Sequence, residues 1–297
     1  LVWRGDLHEA GRICDAAIGL LDGQDLAWYA RALATRVTID ISTGCHTQAL
    51  EILRTALGTL DRDCSQTVDA VIELLCLQGV AYVTSGNPGR CLKDMQEAQA
   101  LCVTAGLRGH LAMVESAMAS TALRLGDLDK ASELASRALA LIDEDRLGQL
   151  ASYTIETLGC VELAKGRVRQ AIQILSDALV KADGHNDVRS RCQIQFGIGR
   201  AWHLSGDTQR ALAALNEAEE IARRIGYLVW HRAILLMSAE VQEKAGDAVA
   251  ARATYKEYMR AGRKMYARDT EKRLFELDAR FELERAEKQA AAARARN

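Results

Sequence analysis

The stretch LGQLASYTIETLGCVELAKGRVRQAIQILSDALVKAD, Leu147 to Asp183, carries the pattern from which the fold follows. Residues 147–165 read as one helix, Gly166 interrupts, and 168–183 read as a second helix. Glycine permits the positive-φ turn that ends one helix and lets the next begin. The arrangement recurs along the chain. Gly86, Gly126, Gly166, Gly206 and Gly246 stand forty residues apart, and Gly44 and Gly5 extend the series upstream at spacings of 42 and 39. Five residues after each glycine comes a small residue: Ala10, Ala49, Cys91, Ala131, Ala171, Ala211 and Ala251. Twelve after it comes alanine in every copy but the last, where Tyr258 stands. These two positions are seven apart and share one helix face with Leu53, Met95, Leu175 and Leu215, so a partner helix can pack closely there. Asp127, Asp207 and Asp247 follow their glycines as helix caps, and Asn87-Pro88 takes that place in the third copy. A fixed period of this kind marks an array of stacked helical hairpins.

Composition agrees. One proline and 5% aromatic residues among 297 argue against a sandwich or barrel of many short strands. Lys and Arg number 38 against 40 Asp and Glu, a net charge of −2, so no direct nucleic-acid binding or attraction to an anionic membrane is expected. No apolar run has the length of a membrane span, so no membrane insertion is expected and the location is read as cytoplasmic. The eight cysteines are scattered without metal or redox spacing, and they read as buried free thiols. P-loop, HExxH, GxSxG and EF-hand patterns are absent, and the six histidines lie in different repeats. No catalytic residue, metal or cofactor is therefore expected, and the segment is read as non-catalytic.

With its turn glycine, the small residue five later, the large apolar residue four beyond that and the following alanine, the chain resembles the tetratricopeptide repeat family, in a long bacterial form. The resemblance extends to a small residue seven before the glycine, at Gly79, Ala119, Gly159, Gly199 and Ala239, and to an aromatic four before it at Tyr82 and Trp202. The proline usual after the second helix is missing, and a period of forty implies longer helices or connections. The resemblance implies an all-α fold, a right-handed α-solenoid of about seven hairpins over residues 1–268. Residues 1–4 leave room for a single turn before Gly5, so an upstream helix or a covering partner is expected at that end. Residues 269–297 read as an extended C-terminal helix. Its Ala279, Leu283, Ala286, Ala290 and Ala293 step as a heptad seam, which suits either a homodimer contact or a solvated cap. Residues 278–287 resemble the joint between such arrays and the output domains of bacterial signalling proteins, diguanylate cyclases above all.

An array of this kind implies a concave surface lined by first helices. Positions six, ten and thirteen before each turn glycine are expected to face it. They place Met113, Tyr153, Glu156, Gln193, Phe196 and Arg200 on three adjacent first helices, and with His203 beside them these residues form a groove for a protein or peptide. In that groove Arg200 would meet a carboxylate, and Tyr153 or Phe196 would supply contact area. The alternative is that Phe196 and Met113 pack between hairpins while Arg200 pairs with Glu156 or Glu240. Lysine and asparagine are absent from these positions, which disfavours the chaperone-tail binding of the family's co-chaperone members. His203 is expected to titrate near neutrality if buried beside Arg200, and Trp28, Trp202 and Trp230 to close gaps between repeats. The expected role is a regulatory interaction module passing its occupancy to a C-terminal output domain. A stand-alone adaptor and the regulatory array of a helix-turn-helix transcription factor are the alternatives.

Overall fold

The structure, a computed structural model, describes residues 7–21, 25–60, 67–85 and 91–265. Among them stand thirteen helices and no strand. A lone helix α1 (Leu7–Leu21) precedes six hairpins. These are α2 (Leu26–Thr43) with α3 (His46–Thr59), α4 (Val68–Thr84) with α5 (Cys91–Ala105), and α6 (Arg108–Leu125) with α7 (Leu128–Leu141). The others are α8 (Glu144–Ala164) with α9 (Val168–Gly184), α10 (Val188–Leu204) with α11 (Thr208–Ile225), and α12 (Leu228–Lys244) with α13 (248–265). The solenoid expected from the repeat is present, with its first repeat represented by α1. The C-terminal helix with its seam at 279–293, the dipeptide Asn87-Pro88, and Gly5, Gly86 and Cys64 lie outside the described residues.

Local chemistry sets each corner. Gly126, Gly166, Gly206 and Gly246 all take positive φ, and Asp127, Asp207 and Asp247 accept hydrogen bonds from backbone N–H groups of the following helix. Three turns between successive hairpins carry the same signature, with positive φ at Gly106, Asn186 and Gly226, while the turn from α7 to α8 passes through extended Ile142 instead. Because Asn186 is the one non-glycine, the second series escapes a reading based on glycine alone. The extra length of the repeat lies in the helices: α10 has 17 residues and α11 has 18, joined by short turns.

Within a hairpin the large apolar residue of the second helix seats on the small residue of the first. Leu53, Met95, Leu175 and Leu215 are fully buried. A Cβ built on Gly159 would stand 2.7 Å from Leu175 Cγ, and one on Gly199 would stand 2.7 Å from Leu215 Cγ. These glycines sit inside helices, where they cost stability relative to alanine. They are accommodated because the leucine occupies the space a side chain would take. Polar links add registration between hairpins. Ser116 and Thr154 hydroxyls are 2.8 Å apart across α6 and α8, and buried Glu115 accepts from Gln99 on α5 and Arg137 on α7. The seven described cysteines are free, six of them buried, and burial pushes the thiols of Cys102 and Cys192 up to about 11 and about 12.

First helices touch one another in sequence, α2 to α4, α6, α8, α10 and α12, with no comparable contacts between second helices. The first helices therefore line the inner surface. Curvature is tighter than a stack of nearest-neighbour hairpins implies: α12 also touches α2, and the Met265 side chain lies against Gly44, where a Cβ would be 2.7 Å from Met265 Cε. The turning accumulated over six hairpins thus brings the last against the first. Trp28 departs from the expected packing. It stands in the first turn of α2, 59% exposed, with its ring against the Arg31 guanidinium and not in a gap between repeats.

Gly159→Val is expected to lower stability by about 1–3 kcal/mol through overpacking against Leu175, measured as a fall in urea midpoint. Met265→Asp, at the closing contact, is expected to leave helical content unchanged by circular dichroism while raising the radius of gyration in small-angle scattering. An unchanged envelope would refute closure.

Candidate functional site

The inner face is richest where α6, α8, α10 and α12 run side by side. Their inward positions hold the expected residues, with differences that matter for chemistry. Glu156, on α8, is buried, and the Cys160 thiol one turn on donates to its Oε1 at 3.2 Å. Arg124 on α6 and Arg200 on α10 both act electrostatically on this carboxylate from opposite sides. Among the described residues neither arginine makes an ion pair with it. Burial raises the Glu156 carboxyl above its ordinary value of 4.5, against the pull of Cys160, Arg124 and Arg200. The same burial and the neighbouring Glu156 raise Cys160 well above its ordinary value, so its thiol is a hydrogen-bond donor and not a nucleophile. Tyr153 stands one turn before Glu156, and burial raises its phenol against the opposing pull of Ser120.

An aromatic wall continues this floor. Phe196 meets Trp230 edge to face at 5.4 Å between ring centroids, and Trp230 lies 6.2 Å from the Tyr227 ring. The Arg200 guanidinium sits 5.8 Å from the Phe196 centroid, within reach of a cation–π contact. Gln193 donates to the Tyr227 hydroxyl at 2.8 Å, and Arg189 stacks over that ring at 5.2 Å. The wall spans two hairpins, so Trp230 joins repeats as expected, and half-buried Trp202, with Arg210 over its ring at 4.6 Å, packs against clusters that include residues of the neighbouring hairpins.

Five of the seven groove residues are brought together: Tyr153, Glu156, Gln193, Phe196 and Arg200. Met113 is drawn away, packed half-buried against the core of the N-terminal hairpins. His203 faces the next hairpin instead of Glu156. Its imidazole is lowered from 6.5 by burial and by Lys244, against the opposing charge of Glu240. Of the alternative, Phe196 packs on Trp230 of the next hairpin and Met113 on the core as it has them, while Arg200 lies over Phe196 and forms no ion pair with Glu156 or Glu240. Sequence periodicity missed Arg124, Tyr227 and Trp230. Arg124 stands two residues before its turn glycine and acts on Glu156 by its charge, and the aromatics stand at the start of α12, outside the three inward positions.

No group of three His, Cys, Asp or Glu among the described residues is arranged to hold a metal ion. No helix among them is long and apolar enough to cross a membrane.

Solved structures share this arrangement of hairpins. A Rap protein complexed with competence and sporulation factor superposes with a TM-score of 0.66 at 15% identity, over 83% of this chain and 68% of that one. The Rap conjugation gene regulator of the plasmid pLS20, in complex with the Phr* peptide, gives 0.66 at 14% identity over 81% and 64%. A signal transduction ATPase with a tetratricopeptide repeat sensor from Pyrococcus horikoshii gives 0.51 at 12% identity, over 89% of this chain and 42% of that one. The chain has the tetratricopeptide-repeat fold. No protein-family model matches the sequence, and no curated protein does. In this repeat fold the inner face of the first helices is the surface that six successive hairpins build together, so a side chain there acts with groups from two or three repeats.

The raised Glu156 carboxyl gives stability a signed dependence on pH. The folded chain holds that proton more tightly than the unfolded chain, so ionised Glu156 subtracts stability above its raised pKa. The loss is relieved as pH falls toward the unfolded value. Relative to Glu156→Gln, the natural chain is therefore expected to lose stability as pH rises from about 4 to about 8, read by urea midpoints. A pH-independent difference between the two would show that the carboxylate is solvated.

Proposed function

We propose that this chain is a non-catalytic regulatory module that takes a peptide, or a short segment of a protein, into the lumen of its solenoid. The observation that carries the reading is the continuous inner surface formed by α8, α10 and α12, where the Phe196–Trp230–Tyr227 wall adjoins the polar floor of Tyr153, Glu156 and Gln193. Aromatic anchors beside a few fixed hydrogen-bonding groups suit an extended chain or a single helix, which offers apolar side chains and backbone polar groups together. The shared fold with the Rap regulator that is complexed with the Phr* peptide supports the same reading.

Output would run through the C-terminus. Residues 269–297 would carry the consequence of occupancy to a C-terminal domain such as a diguanylate cyclase, with Ala279, Leu283, Ala286, Ala290 and Ala293 pairing two copies. A ligand that bridges first helices of several repeats favours one curvature over another, and the equilibrium moves by its difference in affinity for the two.

Selection from a displayed random-peptide library against the whole chain tests the reading. Recovered peptides are expected to lose about tenfold or more in affinity against Phe196→Ala and Trp230→Ala, the usual penalty for truncating a buried aromatic anchor. Circular dichroism controls for folding. Recovered peptides that bind both variants as they bind the natural chain would place recognition elsewhere.

A further inference from the structure

Helix α1 leaves bare a face that later repeats bury. Ile13, Ala16 and Leu20 step along it by three and four, so they share one side of the helix. All three are exposed, Leu20 to 81%. Ile13 and Leu20 stand eight and fifteen residues after Gly5. In later second helices these positions are closed: Leu134 and Ala214 at the first and Ile221 at the second are buried. Ala214 shows what closes them, since it clusters with Leu175 and Ala178 of the preceding α9 and with Ile194 and Ile198 of its own first helix, α10. Among the described helices α1 has neither a preceding hairpin nor a first helix of its own. Its buried residues Leu7, Ala10 and Cys14 pack with Ile39 of α2 and leave the stripe outside that contact. The stripe is the docking face of a second helix without the helix that docks there.

The course of the chain points to the occupant. Met265 lies against Gly44 at the end of α2, and Ile39, little more than a turn earlier, packs with Leu7. The chain therefore continues from Met265 at the end of the molecule where α1 begins. Residues 266–297 follow, outside the described residues, and their sequence carries Leu274, Leu277 and Phe281 at the same three-and-four spacing as the bare stripe. From Met265 to Leu274 the chain spans about 14 Å as helix and up to about 30 Å extended. Ile13 lies about 9 Å along α1 from Leu7. A segment running in the direction of α1 thus brings Leu274 level with Ile13 and Phe281 level with Leu20. A cap on the last hairpin is the less suited place, since α12 already meets α2. We propose that residues 269–283 dock through Leu274, Leu277 and Phe281 on the Ile13–Ala16–Leu20 stripe, so that the C-terminal segment completes the first repeat and latches the solenoid shut. The segment fills the place of a first helix but runs opposite to one, because an ordinary first helix is antiparallel to its second. The assignment is independent of what the lumen binds.

Amide hydrogen exchange of the whole chain, read by mass spectrometry, tests both sides of the contact. The double variant Leu277→Asp/Phe281→Asp is expected to exchange about tenfold or more faster than the natural chain across 7–21, with α8 to α11 unchanged. Leu20→Asp alters only the bare face of α1 and is expected to raise exchange across 269–283 in return. Circular dichroism and the unchanged exchange of α8 to α11 separate undocking from a folding defect in either variant. A second measurement identifies the occupant directly. Leu20 is replaced in the whole chain by the photo-crosslinker p-benzoylphenylalanine, and the product is sized and mapped after irradiation. A link to 269–283 in a species of monomer mass is the expected result. A link formed only in a species of dimer mass overturns the latch in favour of a second copy seated on the stripe. A link to other residues, or exchange of 7–21 that is the same in Leu277→Asp/Phe281→Asp as in the natural chain, overturns it outright.

Discussion

One contact governs this architecture: the seating of a large apolar side chain of each second helix on a small residue of its first helix. Leu175 over Gly159 and Leu215 over Gly199 bring two helix backbones together at a point where ordinary side chains would hold them apart. Glycine is a poor helix former, so its presence there sets the propensity of the helix against the packing of the hairpin. Packing wins, since the leucine is fully buried and fills the place of the missing side chain. The closeness of each hairpin then leaves first helices free to pack on first helices, with Ser116 bonded to Thr154 across one such junction.

Close hairpins impose a division of labour between helix faces. The outward-facing helices α7, α9 and α11 bury one alanine–leucine stripe and leave their other side to solvent, as amphipathic surface helices do. First helices have no such simple pattern, because they are packed on both flanks by neighbouring repeats and also line the lumen. Glu156, Gln193 and Tyr153 lie in that third direction. A buried carboxylate among apolar helices is costly unless nearby groups offset it. Here the charges of Arg124 and Arg200 and the Cys160 thiol supply the offset, each from a different turn or helix. Stability and the proposed recognition draw on the same few groups, in a chain whose core is largely alanine and leucine.

The repeat was legible because its physics is local. A positive-φ glycine, an aspartate cap and a small residue at fixed distance act within one hairpin, and Gly166, Asp127 and Gly159 could each be read from their neighbours in sequence. Inward positions were legible in part by the same periodicity, which located Tyr153, Glu156, Gln193, Phe196 and Arg200. Periodicity failed where charge or context decides. Arg124 acts on Glu156 electrostatically from an exposed position near the end of α6. Met113 occupies an inward register yet packs into the core because the N-terminal hairpins around it are more apolar. Tyr227 and Trp230 act at the beginning of α12, where a helix start meets the preceding repeat and spacing from a distant turn glycine has little meaning.

Closure is the least local property of all, and it joins the fold to its proposed work. Each junction between hairpins contributes a small rotation, and only their sum brings α12 and Met265 against α2 and Gly44. A sum is sensitive to every member, so a ligand spanning α8, α10 and α12 need alter each junction only slightly to change the contact at the seam. That seam ends at the last described residue of α13, from which the chain continues toward 269–297. In the proposed function a change of curvature in the lumen would be converted, through the helices, into a displacement at the point where the C-terminal segment departs. The conversion needs no deformation inside any hairpin, where the leucine-on-glycine contacts resist it. The junctions between hairpins are the places a bridging ligand would touch.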